Sequence, residues 1–170
     1  MQRFLRRSTS GAVRQGLPVE PAAAAAIAAR AIGIVRCAVT RPRPDGWEAV
    51  TSVIELTPDL APGLQGLDGF SHLIVLTWLH LAAGEPERVL AIHPGGDDRR
   101  PLLGVFALRV AGRPNPIGCS AVRLLDVSGA RVRVKGLDAI DGTPVLDLKP
   151  YLPPYDCVPE ARLPPWALSG

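Results

Sequence analysis

Apolar residues come along this chain in short runs, each closed by proline, glycine or aspartate, and almost never at the three-to-four spacing of a long amphipathic helix. The pattern predicts strands. Ala31 to Ala38 reads as the first and Trp47 to Leu56 as the second. Between them lies Arg41-Pro42-Arg43-Pro44-Asp45-Gly46, where the prolines cannot donate to a ladder and Asp-Gly favours a tight reversal. Pro58 to Gly69 carries Leu60, Leu64 and Leu67 before a glycine stop, enough for one short helix. Leu73 to Leu79 is the most apolar stretch and does not alternate. A strand buried on both faces is expected there, central in a barrel or beneath a partner subunit.

Further strands are predicted over Arg88 to Ile92, Leu102 to Ala107 and Val145 to Leu148, with a polar loop from His93 to Arg100. Ser120 to Val127 and Ala130 to Lys135 read as a hairpin around Ser128-Gly129. In its second arm Arg131, Arg133 and Lys135 face one way and Val132 and Val134 the other, a half-buried strand with a basic outer face. That face serves solvation or contacts RNA phosphates. From Pro150 onward the proline-rich end is expected to wrap the surface. At the other end, the Ala-rich run from Ala22 to Ala29 follows Pro21 and reads as a short helix or a linker.

Composition agrees with a chain built on short strands. Pro (18) and Gly (17) are both abundant among 170 residues, and aromatics are only 5%, so aliphatic side chains must fill the core. The length suits one domain, divided here into an N-terminal tail 1–30, a domain 31–156 and a C-terminal tail 157–170. The net charge of +3 is uneven: residues 1–30 hold 5 basic residues against Glu20 alone, leaving 14 basic and 15 acidic elsewhere. A basic arm can attract phosphates, and it equally reads as a solvated leader. The 3 cysteines, Cys37, Cys119 and Cys157, are far apart and form no Cys-x-x-Cys pair. They read as reduced thiols in cytoplasm, small and buried rather than nucleophilic, and no metal site is expected. No apolar run is long enough to span a bilayer, so no membrane partner is expected.

The sequence lacks Gly-x-Gly-x-x-Gly, a P-loop, Gly-x-Ser-x-Gly and His-Glu-x-x-His, which weakens the common nucleotide-binding and hydrolase readings. What stands out is Arg113-Pro114-Asn115-Pro116-Ile117-Gly118. The prolines fix φ at two positions and push the residues before them out of helix, leaving a stiff loop that presents Arg113 and Asn115. A guanidinium fork and an amide suit a phosphate, a carboxylate or a base edge. The same loop is also a plain rigid connector, with Asn115 bonding its own backbone. In Leu137-Asp138-Ala139-Ile140-Asp141-Gly142-Thr143-Pro144 the two aspartates flank a tight turn. Asp138 or Asp141 can bind ribose hydroxyls or accept a proton, or merely shape that turn.

Taken in order, Gly66–His72, Gly104-Val105-Phe106-Ala107, Arg109, Arg113–Gly118, Leu137–Pro144 and Val145–Pro153 resemble the TrmO (TsaA-like) family over Ala31 to Asp156. The resemblance implies a mostly β, single-sheet barrel methyltransferase with short helices rather than a doubly wound fold. It implies a homodimer with S-adenosylmethionine bound near the subunit interface, and methylation of N6 of threonylcarbamoyl-adenosine beside the tRNA anticodon. On the same ground His80, Leu81, Arg109, Ala121 and the segment Leu137, Asp138, Ala139, Ile140 match cofactor contacts. Two departures stand beside it. The family's Pro-Arg-Gln loop is shortened to Arg41-Pro42-Arg43-Pro44, and its hydroxyls on each side of the arginine become Leu108 and Val110.

Within that frame Asp138 and Asp141 are the candidate proton acceptors for the N6 nucleophile, and Arg113 and Asn115 address the substrate. Trp47 and Trp166 are the rings free to stack on an unpaired base, while Trp78 belongs to the apolar run. Two other readings remain open: a methyltransferase of a small molecule using the same cofactor, and a non-catalytic ligand-binding β domain.

Overall fold

The computed structural model describes residues 27–82 and 90–167. Eight strands are formed among these residues: β1 (Gly33–Arg36), β2 (Thr51–Leu56), β3 (His72–Trp78), β4 (Ala91–Ile92), β5 (Leu103–Gly104), β6 (Ile117–Ser128), β7 (Arg131–Lys135) and β8 (Pro144–Pro150). Six of them close into one barrel in the order β1-β2-β7-β6-β3-β8, every pairing antiparallel, while β4 and β5 form a separate two-stranded ribbon. The mostly β, single-sheet barrel with short helices is the observed architecture. The one α-helix among the described residues, α1 (Pro153–Asp156), is a single turn.

The interior is filled by alternate residues from each strand, as a small barrel requires. Val35, Ile54, Leu73, Val75, Val122, Val132, Val134 and Val145 are wholly or almost wholly buried, with Leu137 beneath them. The narrow bore explains the valines: a stiff β-branched side chain fills a pleated, confined surface without a large ring. Two glycines allow strands to approach. A Cβ at Gly33 would collide with the Glu55 carbonyl on β2, and one at Gly118 with the Thr77 hydroxyl on β3.

β6 is the longest strand and is shared. Its first half pairs with β3 and its second with β7, and a register shift between Leu124 and Asp126 bends it from one to the other. The predicted β6–β7 hairpin forms, turning at Gly129 with φ 58. Val132 and Val134 point into the barrel and Arg131, Arg133 and Lys135 out of it.

Several expected elements come out differently. β3 is not buried on both faces: Leu73, Val75 and Thr77 are buried, whereas Ile74, Leu76 and Trp78 on the outer face are half-buried. A closed barrel has one interior, so only alternate residues enter it. The helix expected over Pro58 to Gly69 is replaced by two 3-10 stretches, Pro58–Leu64 and Leu67–Gly69. Pro62 removes an amide from the first, and Gly66 at φ 81 breaks the chain between them.

The second strand starts only at Thr51, because Trp47–Ala49 forms a 3-10 turn. The strand expected to Ala107 stops at Gly104, where Val105–Ala107 turns and buries Val105. Ala91–Ile92 is strand, while Arg88 and Val89 lie outside the described residues. Ile27 to Ala29 has no regular structure, and the rest of the Ala-rich run lies outside the described residues, as does most of the basic N-terminal tail. The cysteines are not buried: Cys37 is half-covered, and Cys119 and Cys157 are exposed. Cys119 falls on the outward register of β6, and Cys157 follows the exposed turn of α1.

Candidate functional site

At the end of the barrel where β3 finishes and β6 begins, the connecting segments surround a cleft of about 1350 Å³. Its walls come from residues 79–82 after β3, from 106 and 108–115 before β6, from the first outward residues of β6, from the 136–143 connection, and from Pro42, Arg43 and Trp47.

The wall before β6 is organised by Arg113. Its Nη1 donates to the carbonyls of Val105 at 3.1 Å and Leu108 at 2.7 Å, and the guanidinium lies 5.8 Å from the Phe106 ring centroid. The proline-stiffened loop then crosses to β3, where the Leu79 amide donates to the Pro116 carbonyl at 2.7 Å. Asn115 is exposed on this loop, and its side-chain amide has no partner among the described residues. Arg109 hangs into the cleft with its Nη2 donating to the Cys119 carbonyl.

Opposite runs the 136–143 connection. Gly136 turns it with φ 91 and donates its amide to the Val50 carbonyl at 2.9 Å. Leu137 is sent into the core, and Asp138, Ala139 and Ile140 line the cleft. Asp138 is exposed by surface area, yet it stands in the concave wall. The walls strip part of its hydration and hold its carboxyl above the usual range, an effect partly offset by the Arg109 guanidinium. His80, just past β3, has its Nδ1 buried with no hydrogen-bond partner among the described residues. A buried ring nitrogen left unpaired beside a cleft suits a ligand group that would complete it.

The sequence-predicted residues therefore converge in large part. His80, Leu81, Arg109, Arg113, Asn115, Ala121, Asp138, Ala139 and Ile140 line one cleft, although they come from four separate segments. Two do not. Leu137 is a core residue at 0% exposure. Asp141 turns away: its Oδ1 accepts the Cys37 amide at 3.1 Å, its Oδ2 lies 3.8 Å from Arg36, and its amide donates to Val39 at 2.7 Å. It fastens the connection to the end of β1.

Arg43 and Trp47 belong to the site as a pair. The Arg43 guanidinium sits 5.0 Å over the indole, and the Trp47 Nε1 donates to the Arg43 carbonyl at 3.1 Å. The shortened loop after β1 thus still furnishes one wall. Phe106, Ile117 and Thr143, which lay inside the quoted motifs without being singled out, also line the cleft, as do Leu79, Leu108 and Cys119, which lay in none of them. For Cys119 the signal in the sequence was the outward register of β6, which continues from Ala121 through Cys119 to Ile117. Among the described residues no cluster of three or more His, Cys, Asp or Glu is placed to hold a metal, and no helix is long and apolar enough to cross a membrane.

The model of the tRNA-methyltransferase O N-terminal domain matches residues 38–157. A "Probable S-adenosyl-L-methionine-binding protein" of Methanothermobacter thermautotrophicus is 42% identical over 131 residues, covering 75% of this chain and 91% of its own. A longer protein of the same description from Archaeoglobus fulgidus is 40% identical over 138 residues, covering 79% of this chain but 36% of its own. The crystal structure of TrmO from Pseudomonas aeruginosa superposes with a TM-score of 0.64 at 36% identity, covering 81% of this chain and 62% of that one. The chain thus spans about a third of the Archaeoglobus relative and three fifths of the solved TrmO structure.

Proposed function

The chain belongs to the tRNA-methyltransferase O N-terminal domain family, and from that membership we propose that it is an S-adenosylmethionine-dependent methyltransferase acting on tRNA. The acceptor is N6 of threonylcarbamoyl-adenosine beside the anticodon. The observation that carries this reading is the pairing of Arg109 and Asp138 in one cleft, a guanidinium and a carboxylate facing the same space.

The donor set fits the cofactor. A guanidinium suits its carboxylate, and the Asp138 carboxylate suits its cationic sulfonium. The unpaired His80 Nδ1 suits a polar edge of the adenosine, against the apolar wall of Leu79 and Ile117. Sites for one small molecule usually enclose roughly 300–1000 Å³, and this cleft is larger at about 1350 Å³. The excess gives room for an acceptor base.

When bound, the cofactor supplies an electrophilic methyl group. The protein's own part is to orient donor and acceptor in line and exclude water, effects worth about 7–11 kcal/mol at best. Asp138 takes the N6 proton. Its raised pKa makes it a better general base near neutrality than an ordinary solvated carboxylate. Arg113 holds the loop from which Asn115 presents its free amide to the acceptor. Asp141, tied to β1, is left out of the chemistry.

We further assign residues 31–156 to the barrel unit, with 1–30 and 157–170 as its arms, and place the enzyme in the cytoplasm as a homodimer. The half-buried outer residues Ile74, Leu76 and Trp78, together with the exposed Leu81 and Phe106 by the cleft, support a subunit contact there.

The test is calorimetric titration with S-adenosylmethionine, wild type beside Arg109→Ala, followed by transfer of a labelled methyl group to tRNA bearing threonylcarbamoyl-adenosine. Saturable binding, weakened in Arg109→Ala, with label in the tRNA is the expected result. Binding with label only in small-molecule acceptors would replace the substrate. No binding by folded protein would leave a non-catalytic ligand-binding domain.

A further inference from the structure

The outward face of β7 carries Arg131, Arg133 and Lys135 at alternate positions, and β6 adds Arg123 directly across from Lys135. All four are exposed. Their electrostatic situations differ. Glu55 on β2 takes both Arg131, at 3.2 Å, and Arg36, at 3.2 Å. No carboxylate among the described residues pairs with Arg123, Arg133 or Lys135. Asp126 is the partner of Arg133 in register, but it sits at the β6 irregularity and makes no ion pair with it.

Three unneutralised cations on adjacent strands are conspicuous in a chain whose residues beyond position 30 hold 14 basic and 15 acidic side chains. Alternate residues on a strand lie roughly 7 Å apart and adjacent strands roughly 5 Å, spacings comparable with successive phosphates on a nucleic-acid strand. The row also leads somewhere. Lys135 is followed at once by Gly136, and Arg123 stands two residues after Ala121, and both Gly136 and Ala121 line the cleft.

We propose that Arg123, Arg133 and Lys135 form a track for the phosphodiester backbone of an RNA whose reacting base enters the cleft beside Gly136 and Ala121. The track rests on the tRNA reading above and gives it a binding surface. A bilayer is the poorer fit, because the residues between these charges, Val122, Val132 and Val134, are buried in the barrel, and only Leu125 at the irregularity offers an apolar contact. The Glu55-bound Arg131 stands at the end of the row away from the cleft.

The experiment is fluorescence anisotropy of labelled tRNA with the full chain across a range of KCl concentrations. It compares wild type with the triple variant Arg123→Gln, Arg133→Gln, Lys135→Gln, and with Arg131→Gln. Thermal melting establishes that each is folded, and a parallel methyl-transfer assay reports the reaction itself. The triple variant should bind about tenfold more weakly or worse, and the slope of log affinity against log salt should fall by about two to three, near one unit per lost phosphate contact. Arg131→Gln should change affinity less than about twofold, because Glu55 already neutralises that cation.

A triple variant that binds tRNA like wild type, with the same slope, overturns the track. So does wild type that ignores tRNA yet binds phosphatidylserine vesicles through these residues. Salt-sensitive tRNA binding lost in the triple variant, without methylation of that tRNA by wild type, upholds the track and overturns only the choice of acceptor.

Discussion

Gly118 lies hard against the Thr77 hydroxyl across the β3–β6 ladder, and its missing Cβ is what lets the two strands approach there. An added methyl would also come within 3.2 Å of Leu79 Cδ2, in the cleft wall. Thr77 is buried at 2% exposure and cannot swing out. Gly118→Ala should therefore cost about 1–3 kcal/mol of stability through overpacking, and displace Leu79 enough to weaken S-adenosylmethionine binding. Urea denaturation and titration of the same preparation measure the two effects. Unchanged values for both would mean that β3 and β6 part without consequence.

Arg113 does the work of a knot. Removing its guanidinium leaves the Val105 and Leu108 carbonyls without their donor, and hydrogen bonds from a charged group are each worth about 1.5–3 kcal/mol. Arg113→Ala should loosen residues 105–116, seen as faster limited proteolysis there, and lower methyl transfer more than tenfold. Arg113→Lys should recover little of it, since an ammonium cannot bridge both carbonyls while stacked on Phe106. Full turnover in Arg113→Ala would mean that the order of this loop plays no part in methyl transfer.

Asp138 gives a pH dependence whose sign is fixed by its raised pKa. As a proton acceptor it works only when ionised, so methyl transfer should rise with pH through that elevated value, and Asp138→Asn should abolish the acid limb. The linkage runs the other way for stability. Between the unfolded carboxyl value and the raised folded one, the native protein holds more proton than the unfolded chain. Raising the pH through that window therefore lowers stability. Melting temperature against pH should show this slope in wild type and lose it in Asp138→Asn.

Leu73 is fully buried in the barrel centre and faces Val122 and Pro150 in register. Leu73→Ala should cost about 2–5 kcal/mol, because the ladders on both sides keep the cavity from collapsing. Glu55→Gln, at a half-exposed ion-pair centre, should stay within about 1 kcal/mol of wild type. The contrast between the two, read in urea, checks that stability resides in the bore rather than in the surface charges.

The sequence was most informative where periodicity and turn chemistry agreed. Val132 and Val134 inward, Arg131, Arg133 and Lys135 outward, and a turn at Gly129 could all be read from residues alone. β3 was harder. Its outer residues Ile74, Leu76 and Trp78 are as apolar as the inner ones, so alternation was invisible, and only the barrel's single interior sorts them. Motif order brought nine cleft residues to attention. It could not separate Asp138 from Asp141, which have the same side chain three positions apart. The Cys37 amide and Arg36, a hundred residues earlier, turn one of them away. Arg43 and Trp47 join the site through a cation–aromatic contact; the sequence offered Trp47 as a ring free to stack, but Arg43 only as part of a turn.

The barrel closes where β1 meets β8, and that seam is thin: Gly33 pairs with Val145 and Ile34 with Pro144. The first strand of the barrel is thus stitched to its last, across more than a hundred residues. Non-local pairing of this kind is slow to form. Until the far strand docks, β1 can pair only with β2, and one flank of the open sheet is left to neighbouring chains. Closure waits on β8, and the cleft, which draws walls from both sides of the seam, cannot be complete until that strand is in place.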